Sequence, residues 1–500
     1  MRISGLASGL DVDSMVKELM KASQTKYDNM VKKRTLVEWK QEDYRSMAAK
    51  IVDFRNNKLA SFNLTSAISA KTSEVSGDTD AVKINSTSST ASGSLNVSVQ
   101  KVATAATNLY TFSGGTTTTT TNADGTTTTA EKSLAELGFT TTADGKVNIT
   151  INNETLTLDS TATLSDVATT MNGNTSKYKA TAIYDAASGK FSITGTQTGA
   201  SSLSVSGFAG TVSNVTTGQD AKITVNGISY KQASNSFSVN GFNFTVQAQT
   251  AAGSYATITA VQDTSKIVET IKSFVTEYNN LISAVNSELS EVRDYDYNPL
   301  TSDEKEEMTE DEIELWEKKA RSGTLHNDST LSTMISELRT AATSLVAGIK
   351  DANGNSISIG ITTGSYSEKG KLILDETKLK SALESNPDEV INLFTATSSD
   401  TSVGSTTSGV FAKMMDSTMD ALKSLSTTAG TSMTSTDLTT SFLESSLLSE
   451  QIRDMKERED REQDRLTDLE NRYYSMFTAM ETAINKYNSQ ASVITNLFSS

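Results

Sequence analysis

Residues 448–497 read LSEQIRDMKEREDREQDRLTDLENRYYSMFTAMETAINKYNSQASVITNL. Taking Leu448, Ile452, Met455, Glu459, Glu462, Leu466, Leu469, Tyr473, Met476, Met480, Ala483, Tyr487, Gln490, Ile494 and Leu497 in turn, the spacing alternates four and three. That is the heptad period of a helix keeping one narrow face against a partner. Polar residues interrupt the seam at Glu459, Glu462 and Gln490. From 451 to 475, 14 of 25 residues are Asp, Glu, Lys or Arg, so the other faces are solvated. Such a helix needs something to lie against.

The N-terminal segment offers a counterpart at Val16, Met20, Ser23, Tyr27, Met30, Arg34, Val37, Gln41, Tyr44, Ala48 and Ile51. Asp13 or Ser14 is the expected N-cap. Both seams are rich in Met, Tyr and polar residues, where a tight two-stranded coil would carry Ile, Val and Leu. Soft side chains suit a surface that repacks against several neighbours. The same pattern also fits an intramolecular helical hairpin that only closes the fold.

Between the ends the composition changes. Residues 81–260 carry 18 charged residues in 180, with no Arg and no Pro, against 20 charged residues in 1–60. Short alternating runs predict strands at Ala81–Asn85, Leu95–Gln100, Val147–Ile151, Phe191–Gly195, Ile223–Val225, Phe242–Gln247 and Tyr255–Ala260. Asp124-Gly125, Asp144-Gly145, Asn226-Gly227 and Asn240-Gly241 are hairpin-type dipeptides, because both residue types tolerate positive φ. The tract Thr116–Thr121, with Thr126–Thr129, reads as a solvated low-complexity loop.

Helical periodicity returns from Lys266 to about Val292, then over Thr309–Ser322 and Leu331–Val346. A β insert follows at Ser356–Ile361 and Lys371–Leu374. The next helix, Glu376–Glu384, should stop at Asn386-Pro387. Residues 397–409 and 424–441 read as Ser/Thr-rich connections. The expected fold is therefore α+β and multidomain, with nested discontinuous domains. These are helical legs from 1–45 and 450–500, a mostly helical core with a β insert from 46–75 and 265–449, a β-rich domain from 76–110 and 215–264, and a distal β-rich domain from 111–214.

Composition excludes several chemistries. The 500 residues hold no Cys, one His (His326), two Pro and two Trp. Disulfides, thiolate metal sites and a cysteine nucleophile are ruled out, as are multi-histidine metal centres. The net charge of −16 gives no basic surface for nucleic acid and repels anionic lipid. No apolar run approaches the roughly 18 residues of a membrane span. His326 neighbours Asp328 and Ser329, but adjacent residues in one turn cannot face each other as a triad must. Asp294-x-Asp296-x-Asn298 imitates a calcium loop, yet Pro299 and Lys305 stand where Gly and Glu are needed. Asp351-x-Asn353-x-Asn355 fails likewise, with Thr362 at the twelfth position. No catalytic residue, cofactor or metal is expected.

Four ordered motifs resemble one family. The opening Ile3-Ser-Gly-Leu-Ala-Ser-Gly-Leu-Asp11, running into Met15–Met20, is similar to the N-terminal motif of the flagellar filament cap (hook-associated protein 2) family. Asn298-Pro-Leu-Thr301 with Gly323–Leu331, then Gly370–Leu379 leading to Asn386–Val390, are similar to its core. Arg472–Leu497 is similar to its terminal pattern. The resemblance implies export in an unfolded state through the flagellar type III apparatus, without a cleaved signal peptide and with an export chaperone. It also implies a secreted, extracellular homo-oligomeric ring, a pentamer by likeness to the family, at the distal filament tip. There the helical ends would contact flagellin and promote its folding and insertion. The residues expected to make flagellin or subunit contacts are Leu6, Leu10, Val16, Met20, Tyr27, Met30, Val37 and Tyr44, with Leu466, Leu469, Tyr473, Met476, Met480, Tyr487, Ile494 and Leu497. Nucleic acid and membrane are not expected partners.

Three rival readings stay open on sequence. A flagellin or hook–filament junction protein shares helical ends around β domains. An adhesin would bind host surface glycan through exposed aromatics among Phe112, Phe139, Tyr178, Tyr184, Phe191 and Phe208. A carboxylate-based cell-wall hydrolase is the enzymatic alternative.

Overall fold

The computed structural model describes residues 11–350 and 353–498. They form two compact units: one from the two ends of the chain, up to Ile68 and from Thr264 onward, the other from Ser69–Asp263.

The first unit is helical. Its first helix, α1, spans Val12–Val52, and its N-cap is Asp11 instead of Asp13 or Ser14. The Asp11 carboxylate accepts the Ser14 backbone N–H at 3.0 Å, which places Asp13 inside the first turn, where its charge complements the helix dipole. Without a break α1 passes into a π-helical stretch, Asp53–Leu59, that buries Phe54 and Leu59. Helix α2 (Thr264–Ser290) buries Ile267, Ile271, Phe274, Tyr278, Ile282 and Val285, the expected stripe. Phe274 sits edge-on to Phe394 and Phe411, with ring centroids 6.0 and 5.2 Å away, and these rings centre the helical core.

Capping chemistry sets the next boundaries. α3 (Ser302–Glu306) and α4 (Glu310–Arg321) each open on a capping box, Thr301 with Glu304 and Thr309 with Glu312. α5 (Ser329–Ala347) starts on Asp328, whose side chain accepts from the Leu331 amide. Two small hairpins follow, Ile349–Lys350 with Ser356–Ile357 and Ile361–Thr363 with Leu372–Leu374. Helix α6 (Glu376–Ser385) ends at Asn386, and Pro387 begins α7 (Pro387–Thr395) at the position where its missing N–H costs nothing. α8 (Val410–Ala429) takes in part of the stretch expected to be a connection. Its hydroxyls turn inward, as at Thr418, which is fully buried and donates to the Met414 carbonyl at 2.7 Å. The last helix, α9, spans Leu447–Phe498.

The second unit is β-rich and holds two separate cores. A five-stranded antiparallel sheet runs in the order Lys71–Gly77, Ala256–Gln262, Ser94–Lys101, Ala221–Val225, Ile228–Gln232. A three-stranded sheet runs Ser236–Val239, Phe242–Val246, Val82–Thr87. Their inner faces share a core of Val97, Val99, Ile223, Phe242, Phe244 and Ile258. Both Asn-Gly pairs turn as their chemistry predicts: Asn226 and Gly227 have φ of 48° and 86°, Asn240 and Gly241 48° and 82°. Positive φ at both central residues is the type I′ pattern that suits strand twist.

Residues 105–216 build the other core. A four-stranded sheet (Thr211–Thr216, Ala105–Thr111, Lys190–Thr198, Ala180–Asp185) and a three-stranded sheet (Val205–Ser206, Lys146–Ile151, Glu154–Asp159) enclose it with the helix Leu164–Gly173. The threonine tract is a hairpin and not a loop: Thr117–Thr121 pairs with Thr127–Glu131 in register. Asn122 ties the turn by donating to the Thr126 and Thr128 hydroxyls at 3.0 and 3.1 Å. β-branched residues favour this extended state, and the strands remain exposed to solvent.

Candidate functional site

The two seams read from the sequence meet. Gln41 bonds Ser449 at 2.8 Å, Arg34 pairs with Glu459 at 2.9 Å, Lys26 with Glu462 at 3.0 Å, and Asp13 accepts from Tyr474 at 2.8 Å. One set of numbers rises as the other falls, so α1 and α9 are antiparallel. The polar interruptions are partners. Arg34, a seam residue of α1, sends Nε to both oxygens of Glu459, at 3.0 and 2.9 Å, and Nη1 to Glu38 at 2.6 Å. The Glu459 side chain is 8% exposed and that of Arg34 19%. Burial lowers the Arg34 guanidinium's affinity for its proton, but its bonds to Glu459 and Glu38 outweigh that and leave it above its ordinary range. Glu462 is held by Arg465 at 2.6 Å and by Lys26. Those bonds pull its carboxyl from 4.5 down to about 2, Arg465 contributing most. Buried charges of this kind specify register, since a slip along the helix would strand them.

Toward the start of α1 the contact becomes apolar. Val12, Val16 and Phe477 form a buried cluster, with Met20, Tyr473, Tyr474 and Met480 packed against it. Here the structure corrects the heptad reading: Phe477 is 5% exposed and Met476 is 55% exposed. Leu466 to Phe477 spans eleven residues, the spacing of a nearly straight helix at about 3.67 residues per turn. A strict heptad drifts off the contact line by about 20° per repeat, and Met476 falls past its edge.

The other expected contact residues divide three ways. Val16, Tyr44 and Leu466 are buried within the chain. Tyr44 donates to Asp328 at 2.5 Å, and burial followed by that carboxylate pushes its phenol well up. A partner could reach Val16 and Leu466 only if the hairpin opened, and Tyr44 only if α1 parted from the start of α5. Met20, Tyr27, Met30, Val37, Leu469, Tyr473 and Met480 are half-buried along the groove edges. Tyr487 and Ile494 are 70% and 55% exposed. Leu6 and Leu10 lie outside the described residues, as does the side chain of Leu497.

Among the described residues α9 runs on past its contact with α1, and Glu481 beyond that contact is still buried. α1 begins at Val12, beside Phe477, whereas α9 continues to Phe498. Twenty-one residues at 1.5 Å each carry it about 30 Å beyond that cluster. Val493 adds a further exposed apolar side chain there, at 59%.

Other candidates resolve into local structure. His326 is exposed and contacts Asn327 at 2.8 Å, while Asp328 is used by Tyr44 and by the start of α5. Asp294 accepts the Asp296 amide at 3.2 Å in a turn. Asp351 lies outside the described residues. Among those residues no group of three or more His, Cys, Asp or Glu could hold a metal, and no helix is long and apolar enough to cross a membrane. Phe112, Phe139, Tyr178 and Phe191 are buried, and Tyr184 and Phe208 pack against them. These rings form a core and present no aromatic platform to a glycan.

Comparison with known proteins bears on the same elements. The profile described as flagellar hook-associated protein 2 C-terminus matches residues 218–489, and the N-terminus profile of that name matches 8–106. The flagellar hook-associated protein 2 of Halalkalibacterium halodurans is 28% identical, over the full length of both chains. That of Thermotoga maritima is 27% identical, over 69% of this chain and 56% of its own. Among solved structures, the D1-D2-D3 domains of the flagellar cap protein FliD from Escherichia coli align over 83% of this chain and 99% of that one. Their sequence identity is 21% and the TM-score is 0.42. With both profiles in order and one covering more than half of its length, the chain belongs to the flagellar hook-associated protein 2 family.

Proposed function

We propose that this chain caps the tip of a bacterial flagellar filament, where a homo-oligomer of it sits on flagellin and assists the folding and insertion of each arriving subunit. The reading rests chiefly on the α9 tip beyond Phe477, a rod about 30 Å long with Tyr487, Val493 and Ile494 exposed. An apolar stripe on a solvated helix suits contacts completed by another protein. The α1–α9 seam supports it as well, because paired charges and Met and Tyr side chains give a contact that can loosen and re-form. The work would be binding and positioning, with no covalent step. Extracellular location, export in an unfolded state with a chaperone, a five-membered ring and the four-domain division belong to the same proposal.

Flagellin contacts would then fall on Tyr487, Val493 and Ile494, with Met476 at the margin. Removing everything from residue 450 would also strip α1 of Leu466 and Phe477, so loss of function could be mere unfolding. Truncation after Glu481 is the cleaner test. Cells carrying it should secrete unpolymerised flagellin and lack long filaments, while the purified protein keeps the helical content of the residues that remain. Normal filaments from that strain would sink the proposal.

A further inference from the structure

We propose that a cationic cavity centred on Arg339 receives acidic side chains from α3 and α4 of a second copy of this chain; this rests on the self-assembly read above. The cavity, about 600 Å³, lies between the end of α2, the turn before α5 and the tip of the Ile361–Thr363/Leu372–Leu374 hairpin. Arg339, Lys369 and His326 line it, and no carboxylate does. A second cavity on Arg339, about 350 Å³, is lined by Ser336, Thr340 and Thr343 and also holds no carboxylate. In a chain with 60 acidic against 44 basic residues, two adjoining acid-free pockets around one guanidinium stand out. The nearby Glu368 is already engaged, accepting from the Ser365 amide at 2.6 Å and its hydroxyl at 3.1 Å.

The backbone holds this arrangement in place. Lys369 adopts a left-handed φ of 50°, and its carbonyl accepts the Asn286 side-chain amide at 3.2 Å. Gly370 follows with φ 94°, and a Cβ there would fall 2.6 Å from Arg339 Nε. Glycine is what lets the arginine lie across the turn. A guanidinium with donors in a planar fork takes a carboxylate in two parallel bonds, and neighbouring hydroxyls extend the acceptor site.

The complement is on the same unit. Residues 302–317 contain nine carboxylates and a single lysine. Asp303, Glu306, Glu307, Glu310, Asp311 and Glu314 are exposed, and none lines the cavity of its own chain. The ridge is fixed: Lys32 holds Glu304 at 2.7 Å, and Arg321 at the end of α4 holds Asp43 at 2.5 Å and Glu42 at 2.8 Å. An acidic ridge and a cationic cavity at different places on one chain suit a head-to-tail contact, the kind that closes into a ring where its rotation closes. It also offsets part of the repulsion between copies that each carry a charge of −16.

The full-length chain tests this by native mass spectrometry and cross-linking. Arg339→Glu with Lys369→Glu should raise the concentration needed for assembly by roughly tenfold or more, and adding Glu310→Lys with Asp311→Lys should restore it. Because the chain has no cysteine, Ser367→Cys copies mixed with Asp311→Cys copies should form a disulfide only where the two faces meet. The cysteine pair also decides the matter if the reversed variant fails to fold. Should the wild type assemble while reversal has no effect and no mixed disulfide forms, the contact is wrong and self-assembly stands. A wild type that stays monomeric at every concentration would overturn both.

Discussion

The Arg34–Glu459 pair gives the sharpest energetic prediction. Arg34→Met leaves the Glu459 carboxylate, 8% exposed, without a partner among the described residues. Stripping one member from a buried pair costs about 3–5 kcal/mol, and the fifth of Arg34 that is exposed places this case near 3. Glu459→Met should cost about half as much, because Glu38 still neutralises Arg34 at 2.6 Å. The double Met variant should recover most of the loss, since two apolar side chains in the seam replace two desolvated charges. Native-state hydrogen exchange on the α1 amides is the assay, because it reads opening of this hairpin without requiring the whole chain to unfold at once. Arg34→Met should accelerate exchange roughly 100-fold, at tenfold per 1.4 kcal/mol. Acceleration below threefold, or a double variant worse than the sum of the singles, would refute the view that the pair is buried and sets the register.

Three further outcomes follow from the same geometry. The Glu462 carboxyl is stabilised in its ionised form, so its contribution is full above pH 4.5 and drains away as pH falls toward about 2; helix content in the hairpin should decline over that window, and Glu462→Gln should flatten the decline. Phe477→Ala should cost about 3 kcal/mol in local exchange protection around Val12 and Val16, whereas Met476→Ala should change it by less than about 0.5 kcal/mol. Gly241→Ala should lower the thermal midpoint of the β-rich unit more than Gly227→Ala. Both force a positive φ on alanine, but a Cβ at 241 also meets the Ala91 and Ser88 Cβ atoms at 3.2 Å, while 227 opens on empty space.

Much of this architecture is legible in the residues. Asn226-Gly227 and Asn240-Gly241 announce their turns because few other pairs take positive φ twice, and Asn386-Pro387 marks a helix end for the same kind of local reason, though not the new helix that Pro387 opens. The pairing of the chain's two ends is readable because each seam carries a complementary polar exception, Arg34 on one helix and Glu459 on the other. Where reading failed, a non-local fact decided. Met476 and Phe477 are equally apolar, and only the accumulated twist of a straight helix selects between them. Helix α8 was obscured by Ser417, Thr418, Ser424, Ser426, Thr427 and Thr428, which resemble a linker until Phe411, Met414, Leu422 and Leu425 are seen to share one buried face. The threonine hairpin is legible at Asp124-Gly125 but not along its strands, where identical residues on both faces leave no alternation to read. The Arg339 cavity has no sequence signature, because it depends on an absence of acids in space.

The most direct test of the central claim is where the α9 tip lies on an assembled filament. With no native cysteine, photo-cross-linkers attached at Tyr487→Cys and Ile494→Cys report on the tip, and one at the exposed Ile183→Cys in the β-rich unit serves as the comparison. Illumination of capped filaments should join flagellin to the protein at 487 and 494 in high yield, and far less at 183. Strong cross-linking at 183 with none at 487 or 494 would contradict the assignment of the terminal helix as the filament-binding element.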